Sequence, residues 1–127
     1  MEFKKVHGEG PERIQVAMLD PILAPGSSKT ANAPITAKPS EMSCEAEIFL
    51  GPDPNTKSAT SGRKPFTSTG VSQTVSLPVI MPTPAAGEGA AYHVYIDVYA
   101  GSIKFLAYIA TEDVVIPGGS IGPITWT

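Results

Sequence analysis

The side chains that could do acid–base chemistry are few and lie far apart in the sequence. The histidines are His7 and His93, and the carboxylate nearest to His93 on the same face of its predicted strand is Asp97. Two pleats of extended chain separate these side chains, whereas a general acid–base pair must lie within hydrogen-bond reach. We therefore expect no catalytic role for either histidine.

Two short stretches resemble ligand-binding loops. Residues 26–30, GSSKT, share the end of the phosphate-binding motif GxxxxGK[ST], but the first glycine is missing, Ser28 replaces the second, and no helix is predicted to follow. Asp53 and Asn55 could offer oxygens to calcium, but too few other oxygens lie nearby and turn chemistry explains both residues. Both stretches are predicted to be solvated loops.

The remaining candidates are Glu112 with Asp113, the only adjacent acids, and Cys44, the only cysteine. The two acids could contribute to a cation site at one end of the fold, and this alternative stays open. A lone cysteine excludes an intramolecular disulfide and a cysteine-based metal site, so Cys44 is expected to be a buried, inert thiol. With no catalytic motif, we predict no enzyme, no catalytic residues, no cofactor and no metal.

Composition narrows the partners. A net charge of −3 and scattered lysines, with Lys4 and Lys5 as the only adjacent lysines, argue against nucleic acid. No apolar run reaches membrane-spanning length, so no membrane insertion is expected. The N-terminal residues lack the apolar region of a secretory signal. The 127 residues predict one domain, and 12 glycines with 13 prolines favour turns and short strands.

Residues 92–116 form the organising element, two long predicted strands joined by a tight turn at Gly101 and Ser102. This turn would set a register that divides the hairpin into an aliphatic face and a tyrosine-rich face. The aliphatic face is predicted to be buried together with Ile48, Leu77 and Val79. Its members are Val94, Ile96, Val98, Phe105, Ala107 and Ile109.

Further alternating segments predict strands at residues 13–19, 32–38, 42–50 and 72–81, with a short one near Phe66. Ile14, Val16 and Met18 share one face of the first. Residues 1–12 are predicted to be an N-terminal arm, 13–117 a β-sandwich domain, and 118–127 a C-terminal tail. No amphipathic helix is predicted, and the pattern is typical of an all-β, antiparallel sandwich of about seven strands.

The strand before the tight turn carries a recognisable spacing. Its residues are Gly89, Tyr92, Val94, Ile96 and Val98, and Val75 with Leu77 match the strand before it. Over residues 13–116, the order resembles immunoglobulin-like modules of the CARDB or fibronectin-III-like type. The resemblance implies an immunoglobulin-like β-sandwich with extended arms, and it implies no function.

Two sets of residues are predicted to form interfaces. Tyr95, Tyr99, Leu106 and Tyr108 lie together on the outer face of the hairpin, with Phe49 on a neighbouring strand, and tyrosine is enriched at interfaces. Strand propensity alone could also explain these tyrosines. In the tail, the apolar residues have no place in the predicted core and could anchor in a partner; they are Ile121, Ile124 and Trp126.

These features predict a non-catalytic structural or assembly protein. It would associate with itself or with another structural protein through its arms and its tyrosine face. A virion component, such as a capsid, tail or decoration protein, fits this description and would place the protein in the virion. The alternative is an immunoglobulin-like binding module of a surface protein, located extracellularly, that recognises carbohydrate or protein through stacked tyrosines.

Overall fold

The computed structural model describes residues 1–17 and 20–127, and the regular structure of these residues consists of ten β-strands with no helix. The strands are β1 (Glu2–His7), β2 (Arg13–Gln15), β3 (Ser28–Thr36), β4 (Ser43–Gly51), β5 (Ala59–Thr60), β6 (Lys64–Thr67), β7 (Ser72–Ile80), β8 (Ala90–Ala100), β9 (Ile103–Ala110) and β10 (Val114–Ile116). The prediction of an all-β chain is confirmed. The predicted number of about seven strands is too low.

The strands form two antiparallel sheets. The larger has the order β2-β1-β9-β8-β4-β5, with β6 also paired to β4 and β10 to β8, and the smaller consists of β3 and β7 alone. A single bridge between Ala17 and Asn32 connects the edge of the larger sheet to β3. All the strand pairs are antiparallel, as hairpins and short turns allow.

The core takes residues from both sheets. On β3 and β7, the alternate residues Ala31, Ala33, Ile35, Val75, Leu77 and Val79 are buried, and on β4 and β8 the buried set includes Ile48, Leu50, Val94, Ile96 and Val98. Alternation places each set on one face of its sheet. The predicted burial of Ile48, Leu77 and Val79 with the first strand of the hairpin is confirmed.

The hairpin turn is as predicted, but the register beyond it is not. Gly101 has φ 61°, and Ala100 pairs with Ile103 around a two-residue loop. Opposite the step from Val98 to Tyr99, β9 then has a bulge at Phe105, so that Val98 pairs with Leu106 rather than Phe105. One extra residue reverses the faces of the rest of β9, because side chains alternate along a strand.

The bulge therefore corrects the predicted core of β9. Leu106, Tyr108 and Ala110 join the core cluster. Ala107 is buried on the opposite face, opposite Asp97, and Ile109 lies beside Tyr95 on that same face. Phe105 is only partly buried and packs against the rim of the core.

The N-terminal residues are not a free arm. Phe3 on β1 points inward and is 0% exposed in the core. β1 pairs with β9 on one side and β2 on the other, and the ion pairs Arg13–Glu2 and Lys5–Glu12 span the β1–β2 pair. The prediction that residues 1–12 pack on other copies is wrong, since they complete the chain's own sheet.

Two predicted strands have different limits in the structure. The strand predicted at residues 13–19 is regular only in β2, where Ile14 is half-buried; Val16 beyond it is buried, and the predicted inward Met18 lies outside the described residues. The predicted second strand of the hairpin is interrupted at residues 111–113, and its last part pairs separately with β8 as β10. The short strand expected near Phe66 is present as β6.

Candidate functional site

The outer face of the larger sheet carries an aromatic cluster that is covered rather than exposed. Tyr95 stacks on Phe49, the residue opposite it on β4, with ring centroids 4.9 Å apart, and Tyr95 is only 8% exposed. His93 contacts the edge of the same tyrosine ring at 6.2 Å, and the ammonium of Lys57 lies 4.8 Å from the Phe49 ring. Burial, followed by the nearby carboxylates Asp53 and Asp113, raises the pKa of Tyr95.

Beside the aromatic cluster lies a pair of buried carboxylates that the sequence reasoning missed. Glu47 on β4 and Asp97 on β8 are directly opposite each other and are 3% and 6% exposed. Glu47 accepts hydrogen bonds from the Lys57 ammonium at 2.7 Å and from the Thr60 hydroxyl. Lys57 lies in the loop after β4, and Thr60 lies in the short edge strand β5 that follows this loop. Strict alternation placed Glu47 outward but could not indicate these contacts.

Asp97 has weaker partners than Glu47. The Tyr99 hydroxyl lies 3.4 Å and the Lys104 ammonium 3.7 Å from its Oδ2. Burial raises the pKa of Asp97, and the charge of Glu47 adds to this effect, whereas Lys104 and the Tyr99 hydrogen bond oppose it. Two neighbouring carboxylates can serve as the general acid and the general base of a catalytic site. Here both carboxylates are buried and have hydrogen-bond partners among neighbouring side chains.

Tyr99 is held by Arg63. The guanidinium lies 3.8 Å from the centroid of the tyrosine ring, donates a hydrogen bond of 2.6 Å to the carbonyl of Gly101, and pairs with Glu45 at 3.0 Å. Arg63 thus connects the segment between β5 and β6 to the tight turn. Burial is the main factor that raises the pKa of Tyr99. Only part of the ring remains open to solvent.

Leu106 and Tyr108 do not lie on the outer face where they were predicted. The bulge turns both into the core, where they are 5% and 4% exposed. The Tyr108 hydroxyl donates a hydrogen bond of 2.7 Å to the carbonyl of Pro11, and burial raises its pKa. The predicted tyrosine surface is therefore reduced to Tyr95, which is buried, and Tyr99, which Arg63 covers.

The other candidates from the sequence are accounted for by local contacts. His93 Nδ1 lies 2.8 Å from Asp113 Oδ1, so Asp113 pairs with a histidine at the break between β9 and β10, while Glu112 is exposed. Asp53 accepts hydrogen bonds from the Asn55 amide and the Thr56 hydroxyl, as turn chemistry predicts.

Cys44 and the GSSKT stretch also have structural explanations. Cys44 is 3% exposed, which confirms its predicted burial, and burial raises the pKa of its thiol. The predicted loop at residues 26–30 is only partly a loop, because β3 already begins at Ser28 and pairs with β7. A strand, and not a helix, follows Gly26, so no helical N-terminus is available to a phosphate.

The C-terminal tail, residues 118–127, carries the three most exposed large apolar side chains of the described residues. Ile121, Ile124 and Trp126 are 90%, 72% and 91% exposed, and no regular structure includes them. The tail begins where Gly118 packs tightly on the backbone of Gly89, at the start of β8; a Cβ on Gly118 would lie 2.3 Å from the Gly89 nitrogen. The three predicted anchor residues are thus available for contact.

A cleft of about 690 Å³ opens between the two sheets at the other end of β8. It lies next to the tight turn, between the end of β3 and the start of β9, and the glycine-rich segment after β1 forms one side. Apolar side chains dominate its walls, and Lys38 and Lys104 are among the few charged residues. The apolar lining includes Ile14, Ile35, Ile96, Val98, Phe105 and Leu106.

The cleft is a consequence of the unequal sheets. Two strands cannot cover a sheet in which six lie side by side, so part of the apolar face of β8 and β9 remains open near the turn. Concave, mostly apolar spaces of about 300–1,000 Å³ are the usual form of binding sites. Sequence alternation showed which residues face inward but not that part of the inner face lacks a covering strand.

A metal-binding cluster and a membrane-spanning helix are absent from the part of the chain that the structure describes. No group of three or more His, Cys, Asp or Glu side chains there is placed to hold a metal ion. Within residues 1–17 and 20–127, we find no helix with the length and apolar character needed to cross a membrane. Comparisons of the chain with protein-family models, with curated proteins and with solved structures find no match.

Proposed function

We propose that this chain is a non-catalytic structural protein that associates with itself, and that its C-terminal tail makes the contact. The observation that carries the proposal is the exposure of Trp126 and Ile121, at 91% and 90%, beside Ile124 at 72%. Exposed apolar clusters on a folded domain mark surfaces of interaction, because leaving them in water costs free energy. Tryptophan is enriched among the residues that dominate binding energy.

Two finer statements belong to this proposal. The fold is an immunoglobulin-like sandwich, supported by the position of the Gly89, Tyr92, Val94, Ile96 and Val98 strand near the centre of the larger sheet. The assembly is that of a virion component, such as a capsid, tail or decoration protein. Three features support the virion assignment: the chain has 127 residues, it has one cysteine, and its proposed contact residues lie in an exposed tail.

The alternative, a binding module that stacks carbohydrate on tyrosines, has less support. It needs an exposed aromatic platform, but Tyr95 is buried, Tyr108 lies in the core, and Arg63 covers the ring of Tyr99. A tail-mediated assembly requires none of these rings. The sequence predicted contacts through both arms and the tyrosine face, and the contact proposed here is made by the C-terminal tail alone.

Sedimentation velocity over a concentration series tests this proposal. The full chain should shift to larger species as concentration rises, whereas a chain without residues 118–127 should stay monomeric. A matched variant of full length, with Ile121, Ile124 and Trp126 replaced by serine, should behave like the truncated chain. A full chain that stays monomeric at the highest concentration reached would refute the proposed function.

A further inference from the structure

We infer that the tail of one copy binds in the inter-sheet cleft of a second copy, which gives a head-to-tail contact. This inference rests on the proposed self-association and names its receptor surface. The tail supplies the apolar anchors Ile121, Ile124 and Trp126, and the cleft supplies an open apolar space of about 690 Å³.

The positions of tail and cleft favour a second copy over the chain's own cleft. The tail begins at Gly118 beside Gly89, whereas Val98 in the cleft lies nine residues further along β8, about 30 Å away at ~3.3 Å per residue. Fully extended, Ile121 reaches about 10 Å and Ile124 about 20 Å from Gly118. Ile96, the lining residue of β8 nearest to the tail, lies about 23 Å from Gly89 at the same rise, so Ile121 cannot enter the cleft of its own molecule and Ile124 reaches only its near edge.

Charge also fits a head-to-tail arrangement. Lys38, Lys104 and Glu9 line the cleft, Lys104 also pairs with Asp97, and Glu88 is exposed in the loop against which the start of the tail packs. Residues 118–127 contain no charged side chain, so the tail brings no side-chain charge of its own into the cleft. In a head-to-tail pair, Glu88 of one copy would approach the lysines of the next.

The edge of β3 gives the tail a backbone partner. β3 pairs with β7 on one side, and among the described residues the backbone pairing on its other edge is the bridge from Asn32 to Ala17. Residues 34–36 of β3 line the cleft beyond that bridge. An extended tail could lie along this edge, as peptides do when they add a strand to a sheet. Pro123 lacks an N–H, which an outermost strand tolerates.

The area involved predicts a weak, reversible contact. Trp126 would bury about 150–250 Å², and each isoleucine about 60–120 Å². With a matching area on the cleft, the total is roughly 550–1,000 Å², below the about 1,200 Å² at which stable interfaces begin. Because the tail and the cleft are different surfaces, each copy can offer both, and the contact can repeat along a chain of copies.

Disulfide trapping between two variants that each carry one added cysteine tests the inference. Thr125→Cys marks the tail and Ile103→Cys marks the cleft, whose Ile103 is 67% exposed; the native Cys44 is buried. The control is Ile80→Cys, which is 65% exposed and does not line the cleft. Mixed under oxidation, the tail variant should couple to Ile103→Cys at least tenfold faster than to Ile80→Cys.

Complementation provides the second measurement. A chain without residues 118–127 keeps its cleft, and an Ile103→Glu chain keeps its tail but carries a charge in the cleft. Each should be monomeric alone, and an equimolar mixture should form a two-subunit complex. Ile80→Glu, the matched surface control, should associate like the parent chain.

The outcomes separate the inference from the proposed function. Tail-dependent association with equal trapping at positions 103 and 80, or preferential Thr125→Cys homodimers, would overturn the cleft as receptor and leave self-association in place. A full chain that never associates would refute both. Preferential trapping at position 103, together with complementation, supports both.

Discussion

The bulge in β9 makes a direct prediction about which side chains hold the fold together. Leu106→Ala and Ile109→Ala each remove three carbon atoms, but Leu106 is 5% exposed in the core whereas Ile109 lies half-buried on the outer face. Leu106→Ala should cost near the lower end of the about 2–5 kcal/mol typical of buried leucines, because Leu106 is buried but borders the open cleft, which its truncation would enlarge. Ile109→Ala should cost about 1 kcal/mol, because its site is partly open and loses less buried area.

Urea unfolding followed by far-ultraviolet circular dichroism measures this difference. The tail tryptophan is a poor reporter of unfolding, since Trp126 is 91% exposed in the folded chain. With a slope of about 1–3 kcal/mol per molar urea, Leu106→Ala should lower the midpoint by about 1 M or more. If Ile109→Ala proved as damaging as Leu106→Ala, β9 would have the unbulged register and the core described here would be wrong.

Three further perturbations test the turn and the buried network. Gly101→Val should cost more than about 1 kcal/mol of unfolding free energy, because Gly101 has φ 61° and β-branched residues resist positive φ. Gly122→Val in the tail is the control, and equal effects of the two substitutions would contradict the turn. Lys57→Met should cost about 1–3 kcal/mol of unfolding free energy, because buried Glu47 loses its cation. The control, Lys29→Met, breaks no ion pair described in residues 1–17 and 20–127 and should change the unfolding free energy by less than about 0.5 kcal/mol. Equal effects of the two substitutions would show that the Lys57–Glu47 pair contributes nothing. The pKa of Asp97 is raised in the folded chain, so the stability that Asp97 contributes is fully present below the unfolded pKa, near 3.8, and is lost as the pH rises through the folded pKa. Asp97→Asn should remove this pH-dependent loss of stability. An Asp97→Asn chain whose unfolding free energy has the same pH profile as the parent would contradict the raised pKa.

Local alternation predicted a large part of the fold. The inward faces of β3, β4, β7 and β8 follow from residues that repeat with a period of two, and Gly101 marked the turn. The bulge at Phe105 has no sequence signal of its own, since both registers of β9 place apolar residues inward. The pairing of β1 was missed because two glycines and Pro11 follow it and suggested a hinge, whereas the strand itself needs only residues 2–7.

The candidate site was predictable only in part. The sequence indicated the apolar tail, since Ile121, Ile124 and Trp126 follow Pro117, Gly118 and Gly119 at the end of the last strand. The cleft depends on how many strands each sheet has and where their ends lie, which are properties of long-range pairing. The burial of Glu47 opposite Asp97 likewise depends on contacts from the loop that holds Lys57 and from Thr60 in β5.

The fluorescence of Trp126 as a function of protein concentration tests self-association through the tail most directly. It is the only tryptophan in the chain and is 91% exposed, so its emission reports on the tail alone. We predict the long-wavelength emission of a water-exposed indole at low concentration, and a shift to shorter wavelength as association buries the ring. Emission that remains at the position of exposed tryptophan while sedimentation shows association would contradict the assigned role of the tail.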